Sequence, residues 1–199
     1  MSNKTNHFIG WTGEEAKKIL KKVLNENNIE AFCELGSFLG TSAKFILDNR
    51  VNKKMKLYCV DIWDRGWIEK NYDKKITEWI FGRIGERDLY EIFLDNLREY
   101  KDNVVPIKST TLKAVQILYS RGIKIDAFYV DANREYDNVK DDLNIIKKLY
   151  PSSIVCGDDF DFKGVEKAVN ECAEEYSQKI YSPKGGVWLL GNKLKLKSI

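Results

Sequence analysis

Two spacings of apolar residues alternate along this chain. Short runs rich in Val, Ile, Phe and Tyr are separated by longer segments whose apolar residues recur every three or four positions. The first spacing predicts buried strands and the second amphipathic helices. "TGEEAKKILKKVLNEN" begins with a capping-box pattern, Thr12 followed by Glu15, and carries Ile19, Leu20, Val23 and Leu24 on one face. Strands are expected at 29–35, 55–63, 103–109, 125–132 and 152–159. Helices are expected at 41–49, 111–120, 135–150 and 164–176. The helix at 135–150 has an apolar stripe of Val139, Leu143, Ile146 and Leu149. Within 179–193 the pattern predicts two last strands joined by "PKGG".

This alternation predicts an α/β fold in a single domain spanning 1–199. It should be Rossmann-like: a mostly parallel seven-stranded sheet, helices on both faces, and a C-terminal antiparallel hairpin. Ligands of such sheets bind beyond the carboxyl ends of the strands. Residues 64–102 interrupt the alternation and are too long for a plain connection, so they should form helices of their own. Because they follow a strand's carboxyl end, they would overhang the ligand crevice as a substrate-contacting lid. The alternative is an insertion that only packs on the sheet.

The strand ends carry the candidate chemistry. Strand one finishes at Glu34, strand two at Asp61, strand four at Asp131 and strand five at Asp158 and Asp159. Carboxylates gathered on one edge repel, and cations or hydrogen-bond donors must offset that repulsion. After Glu34 comes a glycine-hinged turn, Gly36-Ser-Phe-Leu-Gly40, which lacks the middle glycine of a dinucleotide-binding G-x-G-x-x-G. An acid beside such a turn suits a cationic ligand better than a pyrophosphate. Asp61, 27 residues further on, is placed to accept the hydroxyls of a ribose.

Composition narrows the classes. With 43% hydrophobic and 32% charged residues the chain is globular. Its net charge of +3 is too balanced to imply nucleic-acid binding, and the basic tail "NKLKLKSI" reads as a solvated end. No apolar run is long enough to span a membrane, and the N-terminus shows no signal-peptide core. Cys33, Cys59, Cys156 and Cys172 lack metal-ligand spacing. They read as buried thiols of a reducing compartment, hence a cytoplasmic protein. Self-association is left open.

Several phrases, in order, resemble one family. "CELGSFLGTSAKFI" is similar to the first motif of class I S-adenosylmethionine-dependent methyltransferases. "VDIW", "IFLDNL", "VDANREYDNVKDDL" and "GDDFDFKGVEKAV" follow at the spacing of one branch, and "FIGWTGEEAKKIL" resembles its N-terminal helix. That branch holds metal-dependent sugar and macrolide O-methyltransferases and cephalosporin-tailoring enzymes. The likeness covers roughly residues 8–191. It implies methyl transfer from S-adenosylmethionine to a small acceptor, most naturally a sugar hydroxyl of a glycan or nucleotide-sugar. It also implies that Glu34 and the turn from Gly36 through Ser37 to Gly40 hold the methionine end, that Asp61 meets the ribose, that Ser109 and Thr110 lie near adenine, and that Thr41, Ser42 and Ile62 are further cofactor contacts. Asp131 would touch cofactor as well.

Asp131, Asp158 and Asp159 form an oxygen-donor set suited to Mg²⁺, which in sugar-methylating relatives holds neighbouring acceptor hydroxyls. The chain departs from its relatives at "DANREY". Where they carry a glycine and then a histidine or aspartate base, it has Ala132, Asn133 and Arg134. Neither Asn133 nor Arg134 is a base at neutral pH. Asp131, Asp159, Asp161 or a metal-bound hydroxide is left for that role; His7, the one histidine, reads as a surface residue. Two rival readings are a non-catalytic cofactor-binding module and a nucleotide-dependent oxidoreductase.

Overall fold

The structure, a computed structural model, describes residues 10, 12–26, 28–183 and 186–191. His7, the basic tail and the middle of "PKGG" lie outside them. The elements are α1 (Glu14–Glu26), β1 (Ala31–Leu35), α2 (Thr41–Asn49), β2 (Lys56–Asp61), α3 (Arg65–Asn71), α4 (Lys74–Ile84) and α5 (Leu89–Asn96). After a short 3₁₀ turn come β3 (Val104–Lys108), α6 (Thr111–Ser120), β4 (Ala127–Val130), α7 (Tyr136–Leu149), β5 (Ile154–Gly157), α8 (Lys163–Glu175), β6 (Ile180–Tyr181) and β7 (Trp188–Leu190). One seven-stranded sheet runs β3-β2-β1-β4-β5-β7-β6. The first five strands are parallel, and β7 lies antiparallel between β5 and β6.

Alternation along each strand divides the interior into two cores. Phe32, Leu57, Cys59, Ala127, Tyr129 and Cys156 face α1, α2 and the insertion. Cys33, Leu35, Val60, Phe128, Val130 and Val155 face α6, α7 and α8. Glu34 is in phase with Phe32. Asp61 continues the parity of Leu57 and Cys59, Asp131 that of Ala127 and Tyr129, and Asp158 that of Cys156. Four acids from four strands therefore leave the sheet on the same side, a consequence of parallel register.

The insertion folds into α3, α4 and α5. Each starts on an aspartate whose side chain accepts a backbone N–H of the first turn: Asp64 from Trp67, Asp73 from Ile76 and Asp88 from Glu91. Ile80, Ile84, Leu89, Ile92 and Phe93 join the core. The expected capping box of α1 does not form. The helix begins at Glu14, Glu15 pairs with Lys18, and the buried Thr12 hydroxyl has no hydrogen-bond partner. All four cysteines are buried free thiols. Among the described residues no helix is long and apolar enough to cross a membrane.

Candidate functional site

A cleft of about 380 Å³ opens at the carboxyl ends of the parallel strands. Its floor is the β1–α2 turn. Gly36 has φ +96°, and a β-carbon there would lie 2.0 Å from the Asp131 carbonyl oxygen. Only glycine lets the turn pass so close to strand β4. The Gly36 and Ser37 amides both donate to the Val60 carbonyl, at 2.8 and 3.1 Å. Gly40, also left-handed, starts α2 without a side-chain cap. The first-turn amides of α2 therefore remain available to an anionic group such as a carboxylate.

Glu34 lies beneath this turn, fully buried, and neither carboxylate oxygen has a hydrogen-bond partner. Burial raises its pKa to about 7, against the pull of the nearby Ser37 and Ser42 hydroxyls. The Ser37 and Thr41 hydroxyls are likewise buried without partners. So many unmatched polar atoms at one strand end mark a place built for a polar guest.

Asp61 closes the opposite wall. One oxygen accepts the Phe38 amide at 2.9 Å and the other the Trp63 amide at 2.7 Å. Phe38 and Trp63 both adopt left-handed backbone, φ 43°, and the Trp63 indole donates to the Phe38 carbonyl at 2.6 Å. Asp61 thus ties the β1–α2 turn to the end of β2. Burial raises its pKa, and the Trp63, Phe38 and Ile62 amides oppose the rise. Each oxygen still has accepting capacity for a hydroxyl. Ile62, Ser109 and Thr110 line the same cavity, and Thr110 begins α6 with no side-chain cap bond.

The β4 and β5 ends complete the floor. Asp158 accepts the Tyr129 hydroxyl at 3.2 Å and the Asp159 amide at 2.9 Å. Asp159, at φ 61°, accepts the Arg134 Nε at 2.6 Å. Burial pushes the Asp131 pKa well up, the carboxylates of Asp158, Asp159 and Glu34 push further, and Arg134 opposes them. Asn133 accepts the Glu135 amide at 2.8 Å and serves as a turn residue.

Two further sets of expected site residues have the following geometry. Among the described residues, no group of three His, Cys, Asp or Glu side chains is disposed to share a metal ion. Asp131, Asp158 and Asp159, the set expected to hold Mg²⁺, border one cleft, and Asp159 is paired there with the Arg134 guanidinium. Asp161 is exposed, is absent from the cleft lining, and lies against Gly186.

The structure also adds residues that sequence reasoning missed. Trp67 and Tyr72 of the insertion line the cleft, as do Gly10, Asn138 and Asp142. Asp142 is 2% exposed, has an unpartnered oxygen, and burial raises its pKa to about 7. A signal was present: an acid three residues after Val139 and beside Leu143 sits on the buried face of α7.

Comparison with known proteins agrees with this architecture. The methyltransferase-domain family matches residues 33–160. No curated protein of similar sequence was found. Among solved structures, the O-methyltransferase TomG of Streptomyces achromogenes, in complex with S-adenosylmethionine, superimposes with a TM-score of 0.64 at 14% identity, covering 92% of this chain and 82% of its own. An O-methyltransferase from Bacillus cereus, bound to S-adenosylhomocysteine, gives 0.63 at 12%, covering 92% and 83%. The S-adenosylhomocysteine-bound methyltransferase PaMTH1 of Podospora anserina gives 0.61 at 13%, covering 92% and 80%. At these identities the likeness establishes the fold. With the family match over most of the chain, the strand order and the cleft at the strand ends, the chain belongs to the methyltransferase-domain family and is a class I, S-adenosylmethionine-dependent methyltransferase.

Proposed function

We propose that this enzyme moves a methyl group from S-adenosylmethionine to an oxygen of a small acceptor, and that the acceptor is a sugar hydroxyl of a glycan or nucleotide-sugar. The observation that carries the reading is the cleft itself, with carboxylates on its floor and the aromatic rings of Trp67 and Tyr72 among its lining. A sugar presents apolar C–H faces that pack on aromatic rings and hydroxyls that donate to carboxylates. The solved O-methyltransferases of this fold support oxygen as the accepting atom.

The residues divide the work as follows. Glu34, Gly36, Ser37, Gly40, Thr41 and Ser42 receive the methionine end, where a buried carboxylate can pair with an ammonium group and the α2 amides with a carboxylate. Asp61 and Ile62 meet the ribose, and Ser109 and Thr110 the adenine. S-adenosylmethionine supplies an electrophilic methyl group. The acceptor oxygen attacks it, the carbon–sulfur bond breaks toward sulfur, and the hydroxyl proton passes to a base. Asp131 is the best-placed base, because burial and neighbouring acids make its carboxylate hold a proton more tightly than usual. Asp159 is the weaker choice, since Arg134 already satisfies it. Residues 64–102 act as a lid that closes over both substrates and removes water. Positioning provides most of the acceleration.

The test is calorimetry with S-adenosylmethionine, S-adenosylhomocysteine and NAD, followed by a screen of sugars and nucleotide-sugars for release of S-adenosylhomocysteine. Binding of NAD in preference to both sulfur nucleotides would overturn the cofactor assignment. Turnover confined to acceptors without a hydroxyl would overturn the chemistry.

A further inference from the structure

The cleft floor poses an electrostatic problem. Asp131, Asp158 and Asp159 border one cavity, with Glu34 beneath them. Raised pKa values and hydrogen-bond donors relieve part of this repulsion, and a cation standing among the acids relieves more. Among the described residues, one cation does so. Arg134 lines the cleft, and its Nε pairs with Asp159 at 2.6 Å.

Its placement is built by the segment that follows β5. The guanidinium lies over the Phe162 ring, 4.4 Å from its centroid. Asp159 takes left-handed backbone to present its carboxylate, a conformation that aspartate tolerates better than most residues. A β-carbon on Gly164 would sit 2.4 Å from the Arg134 carbonyl oxygen, so the start of α8 packs directly on the Arg134 backbone. Asn133 closes the turn just before it. Two contacts, from Asp159 and Phe162, hold the side chain, while Asn133 and Gly164 fix the backbone around it. No described residue accepts a hydrogen bond from either terminal nitrogen.

We propose that Arg134 is the resident cation of this site: its guanidinium stands where a divalent ion would otherwise be needed, and its terminal nitrogens receive an oxygen of the acceptor. Arginine suits the task, since it keeps its charge and presents several donors in a fixed plane. Burial works against its charge, but Asp159 together with Tyr72 and Asp131 outweighs burial and raises its pKa, so it stays cationic. Its charge is the opposing influence on Asp131. The ground is the guanidinium occupying Asp159. Removing that guanidinium should therefore expose an acidic set that a divalent ion can enter. The acceptor-binding part of this inference rests on the methyltransfer reading above, whereas the cation part does not.

The test uses the full-length protein, Mn²⁺ as a spectroscopic probe, and thermal melts in EDTA and in millimolar Mg²⁺. For the wild type, no stoichiometric Mn²⁺ binding and no metal-dependent shift in melting temperature are expected. Arg134→Ala should melt lower in EDTA, gain Mn²⁺ binding, and recover stability with Mg²⁺. Arg134→Lys, which restores a charge, should gain none of this. Adding Asp159→Asn to Arg134→Ala should abolish the gained binding. Stoichiometric Mn²⁺ binding by the wild type overturns the proposal, and that measurement stands even if Arg134→Ala fails to fold. So does an Arg134→Ala protein that still binds S-adenosylhomocysteine and acquires no metal affinity. Once an acceptor is known, Arg134→Lys should raise its KM more than it lowers kcat, with activity indifferent to EDTA. Failure of S-adenosylhomocysteine binding in the wild type would instead sink the cofactor assignment and leave the metal result readable.

Discussion

Replacing Glu34 by glutamine should make the protein more stable and a poorer binder of its cofactor. Glu34 is fully buried at the end of β1, with neither oxygen hydrogen-bonded. Its folded pKa is about 7, against 4.5 for an ordinary glutamate, and burial is the first cause. The native state therefore binds more protons than the unfolded state between about pH 4.5 and 7, so stability falls as pH rises through that window. Below it both states are protonated and no penalty exists. Above it the full cost of a buried charge is present. At 1.36 kcal/mol per pH unit of difference, that cost is roughly 3 kcal/mol. Glu34→Gln keeps the shape and removes the charge. Urea unfolding at pH 5 and pH 8 should show the variant gaining ~2.5 kcal/mol relative to wild type between the two, since part of the cost is already present at pH 5, while Asp142, which titrates in the same range, cancels in the comparison. S-adenosylhomocysteine should bind the wild type with release of a proton near pH 6, because its ammonium group favours the ionised Glu34. Calorimetry in buffers of differing ionisation enthalpy measures this directly. The reasoning is refuted if wild type and Glu34→Gln share one pH–stability profile. An unchanged affinity and proton release in the variant would remove Glu34 from the methionine end.

Asp61→Ala should lower S-adenosylhomocysteine affinity roughly ten- to a hundredfold, the loss of charge-assisted bonds worth about 1.5–3 kcal/mol, and equilibrium binding to the folded variant checks it. It should also destabilise the protein, since the Phe38 and Trp63 amides lose their acceptor; a denaturant midpoint equal to wild type would contradict that. Gly36→Ala forces a β-carbon to 2.0 Å from the Asp131 carbonyl oxygen at φ +96°, so a loss above ~3 kcal/mol or insolubility is expected in unfolding and expression trials. Proteolysis within residues 64–102 should slow when S-adenosylhomocysteine and an acceptor are both bound; identical cleavage rates with and without them would leave the insertion as a packing element alone.

The sequence by itself determined the order of elements and the parity of the strands. Buried strands must place alternate residues on opposite faces, so Phe32, Cys33, Glu34 and Leu35 could be read as two inward-facing sets without any coordinates. The acids at strand ends and the glycine turn were equally legible, because backbone geometry restricts which residues stand there. The strand ends themselves were read a few residues too long: β2 stops at Asp61 and β5 at Gly157, where the chain peels away to wall the cleft. Only the tertiary structure decided which partner each acid meets. Asp131, Asp158 and Asp159 are alike by spacing, yet Asp159 is taken by Arg134 and Asp158 by Tyr129, whereas Asp131 faces the cleft. Asp161, two residues further on, is turned against Gly186. Nor could spacing reveal that Trp67 and Tyr72 come from the insertion to line the same cavity as Asp142 of α7. Periodicity is a local property, written residue by residue. A charge's partner is chosen by how distant segments pack, and here that packing determines which carboxylates remain free for chemistry.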